Sequence, residues 1–158
     1  MEIVADVLRY QETAARAPVD VNIWNAIARF TASVDPQHEK AREIVAMLWE
    51  LSDQKHDNGK PKAAKPTPRL YEVLITVAIE QGNHALVDEY IAEMAAKGVT
   101  MYMTTRELEL RSLAQRGNIE AAAEVFQDIK ITHDTPKEYT GEAPQELLQT
   151  MCRCYPRA

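Results

Sequence analysis

Residues 81 to 94 read QGNHALVDEYIAEM, and residues 116 to 129 read RGNIEAAAEVFQDI. Each opens with a polar residue followed by Gly-Asn, the pair that most readily turns a chain. Each then runs into apolar residues at three- and four-residue spacing: Leu86, Val87, Tyr90, Ile91 and Met94 in the first, and Ile119, Ala122, Ala123, Phe126 and Ile129 in the second. That spacing predicts one buried face of an amphipathic helix. Gly82 and Gly117 stand thirty-five residues apart, so the chain states a turn-helix unit twice at a fixed period.

Upstream of each Gly-Asn a second helix is expected. Leu70, Val73, Leu74, Val77 and Ala78 recur at helical spacing behind Thr67-Pro68, an N-cap with proline in the first turn, and Gly98 ends the helix that follows. Thr104 and Glu107 have the spacing of a capping box for the next first helix. Further upstream, VNIWNAI (21 to 27) begins a third first helix, Asp35-Pro36 suits its turn, and Ala41, Ile44, Val45 and Leu48 mark its second helix. Between these units SDQKHDNGKPKAAKPTP (52 to 68) lacks apolar periodicity and reads as a flexible surface loop.

The ends carry half-units. Glu2-Ile3-Val4-Ala5 repeats as Glu43-Ile44-Val45-Ala46, so residues 1–14 read as a second helix whose first helix is missing. Pro144 followed by Leu147, Leu148, Met151, Cys152 and Tyr155 reads as a first helix, over 143–156, without its second. Between them lie repeats at 20–52, 68–102 and 103–130, with the loop at 53–67. A single hairpin cannot bury its apolar face, whereas three stacked ones share a continuous core. The fold expected is all-α, an α-solenoid of about eight helices forming one domain, cut from a longer array or capped by its half-units.

Composition bounds the function. Five glycines and two phenylalanines favour helix over sheet, and no apolar run approaches the eighteen or so residues of a membrane span. The opening MEIVADVLRY has neither the basic start of a signal peptide nor the arginines of a transit peptide. Lys and Arg number 18 against 24 Asp and Glu, a net charge of -6, so the general positive excess that draws a protein to phosphate is absent. Cys152 and Cys154 stand too close for an ordinary structural bridge, which implies a reducing compartment.

A thirty-five-residue hairpin with an aromatic early in its first helix, a Gly-Asn turn and a second helix ending in Met-x-x-x-Gly-Val resembles the pentatricopeptide repeat. LYEVLITVAIEQGNHALVDEYIAEMAAKGV, residues 70 to 99, carries the resemblance best; 103 to 130 is similar, and NIWNAIARF with AREIVAMLWE is a looser third. The tetratricopeptide pattern of Trp, Leu-Gly and Tyr does not occur. The resemblance implies a right-handed superhelix in a mitochondrion or plastid. It also implies single-stranded RNA along a groove of first helices, one base per repeat.

The residues that would do this are mostly of another kind. Base choice in the family uses a polar residue after the helix-start aromatic, and Asn25 after Trp24 fits, but Glu72 and Glu107 hold the equivalent places. The second base-reading site, just before the next repeat, holds Tyr102. Asn22, Arg69 and Thr104 stand where the family has aliphatic residues that sandwich bases, and Glu80 and Gln115 where it has lysines. Thr76 lies further along the same first helix, and Arg29 and Arg111 are the candidate phosphate contacts. Residues 69 to 130 hold six Lys or Arg against ten Asp or Glu, a net of -4, which repels a phosphate chain. The glutamates have a second reading as acids complementing a helix dipole, and Trp24 and Trp49 read as core or inter-repeat packing. Lys55, Lys60, Lys62 and Lys65 form a basic island in the loop and read as solvated side chains.

Catalysis has no motif. His38-Glu39 opens like HExxH, but residue 42 is Arg, so the second ligand is missing; Cys152-Arg-Cys154 has no companion pair at finger spacing. The expectation is a non-enzymatic scaffold without cofactor, metal or small-molecule substrate, partnered by protein subunits of a larger assembly. The alternative partner is single-stranded RNA.

Overall fold

A computed structural model describes residues 20–134, with side chains through Ile129. The described residues form six helices: α1 Val21–Val34, α2 Glu39–Asp53, α3 Pro68–Glu80, α4 His84–Ala96, α5 Met103–Gln115 and α6 Ile119–Asp134. Among them there is no strand, only an isolated antiparallel bridge between Lys55 and Pro61. The all-α expectation thus holds for this span. The half-units at 1–14 and 143–156 lie outside the described residues. The chain divides into two compact units, one ending at Gln81 and one beginning at Gly82.

In the first unit, α1 packs on both α2 and α3. Asp20 caps α1 by accepting from the Asn22 amide at 3.0 Å. At the far end Asp35 turns the chain and prepares α2: its carboxylate accepts from Gln37 N at 3.1 Å and from Glu39 N at 2.8 Å. His38, the N-cap residue of α2, has φ 54 and makes no side-chain cap. Asp35 supplies the acceptor in its place, while the imidazole turns inward. Left-handed backbone in a residue other than glycine costs about 1–2 kcal/mol, so something inside the unit must hold His38 there.

Two expected features of this unit are met in the structure. Thr67 Oγ1 accepts from Leu70 N at 3.4 Å, with Pro68 opening α3. Ala41, Ile44, Val45 and Leu48 on α2 and Leu70, Leu74, Val77 and Ala78 on α3 are buried, with Val73 half-buried, and they meet Trp24, Ala28 and Ala32 buried on α1. The connection read as a flexible surface loop is tied down by backbone bonds, His56 N to Lys60 O at 2.8 Å and Lys62 N to Gln54 O at 2.9 Å. Ala63 and Pro66 are buried. Apolar periodicity cannot register such a segment, because its order comes from a backbone turn and two small apolar residues.

In the second unit, α5 packs on α4 and α6. Asn83 caps α4 by accepting from Leu86 N at 3.4 Å. Both α4 and α5 end in Schellman turns. Val99 N bonds Met94 O at 2.9 Å with Gly98 at φ 67, and Asn118 N bonds Leu113 O at 3.0 Å with Gly117 at φ 72. A side chain at either glycine would meet the left-handed penalty.

Two local expectations fail here. The capping box of Thr104 and Glu107 does not form. Helix α5 starts at Met103 behind Tyr102, which gives no side-chain cap, and Thr104 is already in the first turn. The apolar stripe of α6 is also rotated, because its buried members are Ala122, Val125 and Ile129, with Phe126 partly buried against Leu110 and Leu113. Ile119 is 56 % exposed and Ala123 lies on the solvent side. Ala123 is small enough to satisfy either face, so its spacing misplaced the seam by about one residue.

Candidate partner-binding surface

The groove candidates fall on one face of each first helix, at i, i+3 and i+7. On α1 they are Asn22, Asn25 and Arg29; on α3, Arg69, Glu72 and Thr76; on α5, Thr104, Glu107 and Arg111. Each line starts two residues before the helix-start aromatic or its equivalent, so the three lines occupy matching registers.

The α1 line is polar and open at both ends. Asn22 is exposed and its Nδ2 donates to Asp20 Oδ1 at 3.1 Å, while Arg29 is exposed. Asn25 is half-buried, and its Oδ1 is shielded from solvent without a hydrogen-bond partner. A shielded acceptor costs about 1–3 kcal/mol when unmade.

The α3 line is closed on itself. Glu72 is buried, Arg69 reaches its Oε2 at 3.5 Å, and Thr76 Oγ1 donates to the Glu72 carbonyl at 2.7 Å. The structure therefore joins these three through Glu72. The α5 line lies in the other unit, with Thr104, Glu107 and Arg111 all exposed and Tyr102 57 % exposed ahead of it.

Beside these lines the arginines are met by carboxylates. Arg106 Nη1 donates to Glu109 Oε2 at 2.7 Å, and Arg116 forms a two-pronged pair with Asp88, each bond 2.6 Å. The hydrogen bonds to Asp88 hold the Arg116 guanidinium's pKa above its ordinary value. A guanidinium engaged in this way by a carboxylate is a poor partner for phosphate.

Motif reading passed over the best-connected polar site. His38 is fully buried, and its Nε2 lies 3.0 Å from Gln81 Oε1, while Gln81 Nε2 donates to the Ala32 carbonyl at 2.8 Å. Because the amide nitrogen is committed to a carbonyl, Oε1 must accept and His38 Nε2 must carry the proton. Burial lowers the His38 pKa from 6.5; Arg42 adds to that, whereas the Gln81 bond and Asp35 pull the other way. This junction holds the left-handed His38 in place and ties α1, the start of α2 and the end of α3 together. The signal that could have found it is positional: Gln81 and Arg116 each directly precede a Gly-Asn, and both reach back to earlier elements of their own units.

Trp24 is buried, as the packing reading requires, and Trp49 Nε1 donates to the Tyr71 hydroxyl at 2.9 Å. No helix among the described residues is long and apolar enough to cross a membrane. Among them no group of three or more His, Cys, Asp or Glu is placed to hold a metal ion. The chain matches no known protein-family model and no curated protein sequence.

Proposed function

We propose that this chain is a pentatricopeptide-type α-solenoid of about eight helices that acts as a non-catalytic scaffold, holding protein subunits of an organellar assembly along its first-helix face. The observation that carries the reading is the pairing of Arg69, Arg106 and Arg116 with Glu72, Glu109 and Asp88. Three arginines beside the first-helix lines are engaged within the chain while Arg29 and Arg111 stay exposed, and the net charge of -6 opposes a phosphate polymer. Exposed Thr104, Glu107 and Arg111 offer instead the mixed polar rim common at protein interfaces.

Photo-crosslinking from positions 104 and 107 in the native assembly tests this. The expected product is a stoichiometric protein adduct, lost on Arg111→Glu. Crosslinks to RNA, with affinity for single strands that falls steeply with salt and vanishes with Arg29→Ala and Arg111→Ala, would replace the scaffold reading by the RNA one.

A further inference from the structure

The repeat turns of this chain spell Gly-Asn, whereas the connection between α2 and α3 spells Asn-Gly, at Asn58-Gly59. The order matters chemically. An asparagine side chain can be attacked at Cγ by the backbone nitrogen of the residue that follows, and glycine there has no Cβ to block the approach. Asn22 and Asn25 lie within α1 and precede Ile23 and Ala26, while Asn83 and Asn118 stand just before α4 and α6 and precede His84 and Ile119. Of the asparagines in the chain, Asn58 alone is followed by glycine.

Asn58 and Gly59 are exposed at the tip of a short hairpin. His56 N donates to Lys60 O and Gly59 N to His56 O, each at 2.8 Å, and Gly59 has φ 78. This is the left-handed glycine that closes a three-residue hairpin loop. Its chain neighbours aside, nothing lies within 4 Å of the point where a Gly59 Cβ would stand, so water reaches the turn from that side. Asn58 Oδ1 accepts from Lys60 N at 3.0 Å. That bond folds the side chain back along its own turn and sets a donor where negative charge develops when Cγ is attacked. The Lys60 ammonium, one residue beyond Gly59, favours the deprotonated nitrogen that attacks. The bond from Gly59 N to His56 O opposes attack and must open first. Only two cross-strand backbone bonds, His56 to Lys60 and Lys62 to Gln54, hold the ladder, and so short a hairpin opens readily.

We propose that Asn58 is a site of spontaneous modification, converted through a cyclic imide to aspartate and isoaspartate, and that the isoaspartate form releases the hairpin between α2 and α3. Gly59 N gives its proton to hydroxide and bonds to Asn58 Cγ. The Cγ–Nδ2 bond breaks, and Nδ2 takes a proton from water and leaves as ammonia. Water then opens the imide on either side of the nitrogen. Cleavage at Cγ gives aspartate; cleavage at the Asn58 backbone carbonyl carbon gives isoaspartate, whose main chain runs through the former side chain. That route lengthens the three-residue loop by one methylene, so the turn bond to His56 and the ladder bond to Lys60 cannot both hold. Either product also sets a new carboxylate beside Asp57, among Lys55, Lys60, Lys62 and Lys65. The proposal rests on the hairpin and not on the scaffold reading.

Incubating the folded full chain in ammonia-free buffer at neutral and at mildly alkaline pH, followed by peptide mass mapping, tests it. A gain of one mass unit is expected on the peptide that holds Asn58, faster at the higher pH. Part of the product should accept a labelled methyl group from S-adenosylmethionine through an isoaspartate methyltransferase. Asn58→Gln and Gly59→Ala should each abolish the gain. Hydrogen exchange on the isoaspartate form should show loss of protection at the His56 and Lys62 amides. Asn58 that stays intact in the folded chain while the urea-unfolded chain is converted overturns the proposal, because the hairpin then guards the site. Conversion without isoaspartate overturns it too, since that is direct hydrolysis and bypasses Gly59. So do equal conversion at Asn22, Asn83 or Asn118, a gain that survives Asn58→Gln, and unchanged protection in the isoaspartate form.

Discussion

The two units fasten the last turn of a first helix to earlier elements by opposite chemistry. In the first, neutral Gln81 joins fully buried His38 to the Ala32 carbonyl. In the second, Arg116, thirty-five residues on, grips the exposed carboxylate of Asp88. Burial decides which is workable. An amide can satisfy a carbonyl and an imidazole without bringing charge into the interior, whereas an ion pair keeps its hydration only at the surface. The same repeat position thus takes whichever polar group its surroundings allow.

The largest test of this contrast is the apolar frame around each junction. Leu74→Ala on α3, at 0 % exposure, is expected to cost about 2–5 kcal/mol by thermal or urea unfolding. If Leu74→Ala cost no more than a surface change, the buried character of the first junction would be wrong.

Gln81→Ala comes next. It takes one of two donors from the Ala32 carbonyl, which keeps the Asp35 amide at 3.3 Å, and removes the Gln81 oxygen from His38 Nε2, and a loss of about 1–3 kcal/mol is expected. The accompanying pH dependence has a definite sign. The folded-state pKa of His38 lies below the ordinary 6.5, so its contribution is fully present above 6.5 and is lost as pH falls through the lowered folded value. Urea midpoints taken downward from neutral pH should fall more steeply for wild type than for His38→Asn, which tolerates the left-handed backbone. Parallel acid limbs would remove His38 from the account.

Arg116→Ala should matter less, at most about 1 kcal/mol, and its effect should shrink as salt is raised, because the pair is exposed. An effect as large as that of Gln81→Ala, unchanged by salt, would erase the contrast. Smallest is a gain: Tyr102→Asp supplies the cap that α5 lacks and should raise stability by about 0.5–1 kcal/mol in thermal unfolding.

Much of this was legible because it is local. Gly98 and Gly117 end helices through contacts within one turn, Thr67-Pro68 starts one, and spacing picked out the buried Leu70, Leu74, Val77 and Ala78 on α3 and Leu86, Val87, Tyr90 and Met94 on α4; Val73 and Ile91 are only half-buried, and Tyr71, Glu72, Ile75 and Ile79, buried on the other side of α3, were not in the stripe. Thr104 misled because a capping box can be spelled by residues that sit inside the first turn, and Ala123 because alanine suits either face. Among the candidate groove residues the register was readable, i, i+3 and i+7 on each first helix. The closure of Glu72 by Arg69 and Thr76 was not, since spacing shows that such side chains can meet and not whether the site excludes water.

What the amino-acid order determined by itself is the all-helical class, most helix starts and stops and most of the apolar faces, all consequences of backbone geometry acting over a few residues. Only the tertiary structure decided which polar groups become interior partners. His38 and Gln81 are forty-three residues apart, and nothing in their neighbourhoods announces the bond. It exists because packing α1 against α2 and α3 removes water from that point and brings the imidazole within reach of the amide oxygen.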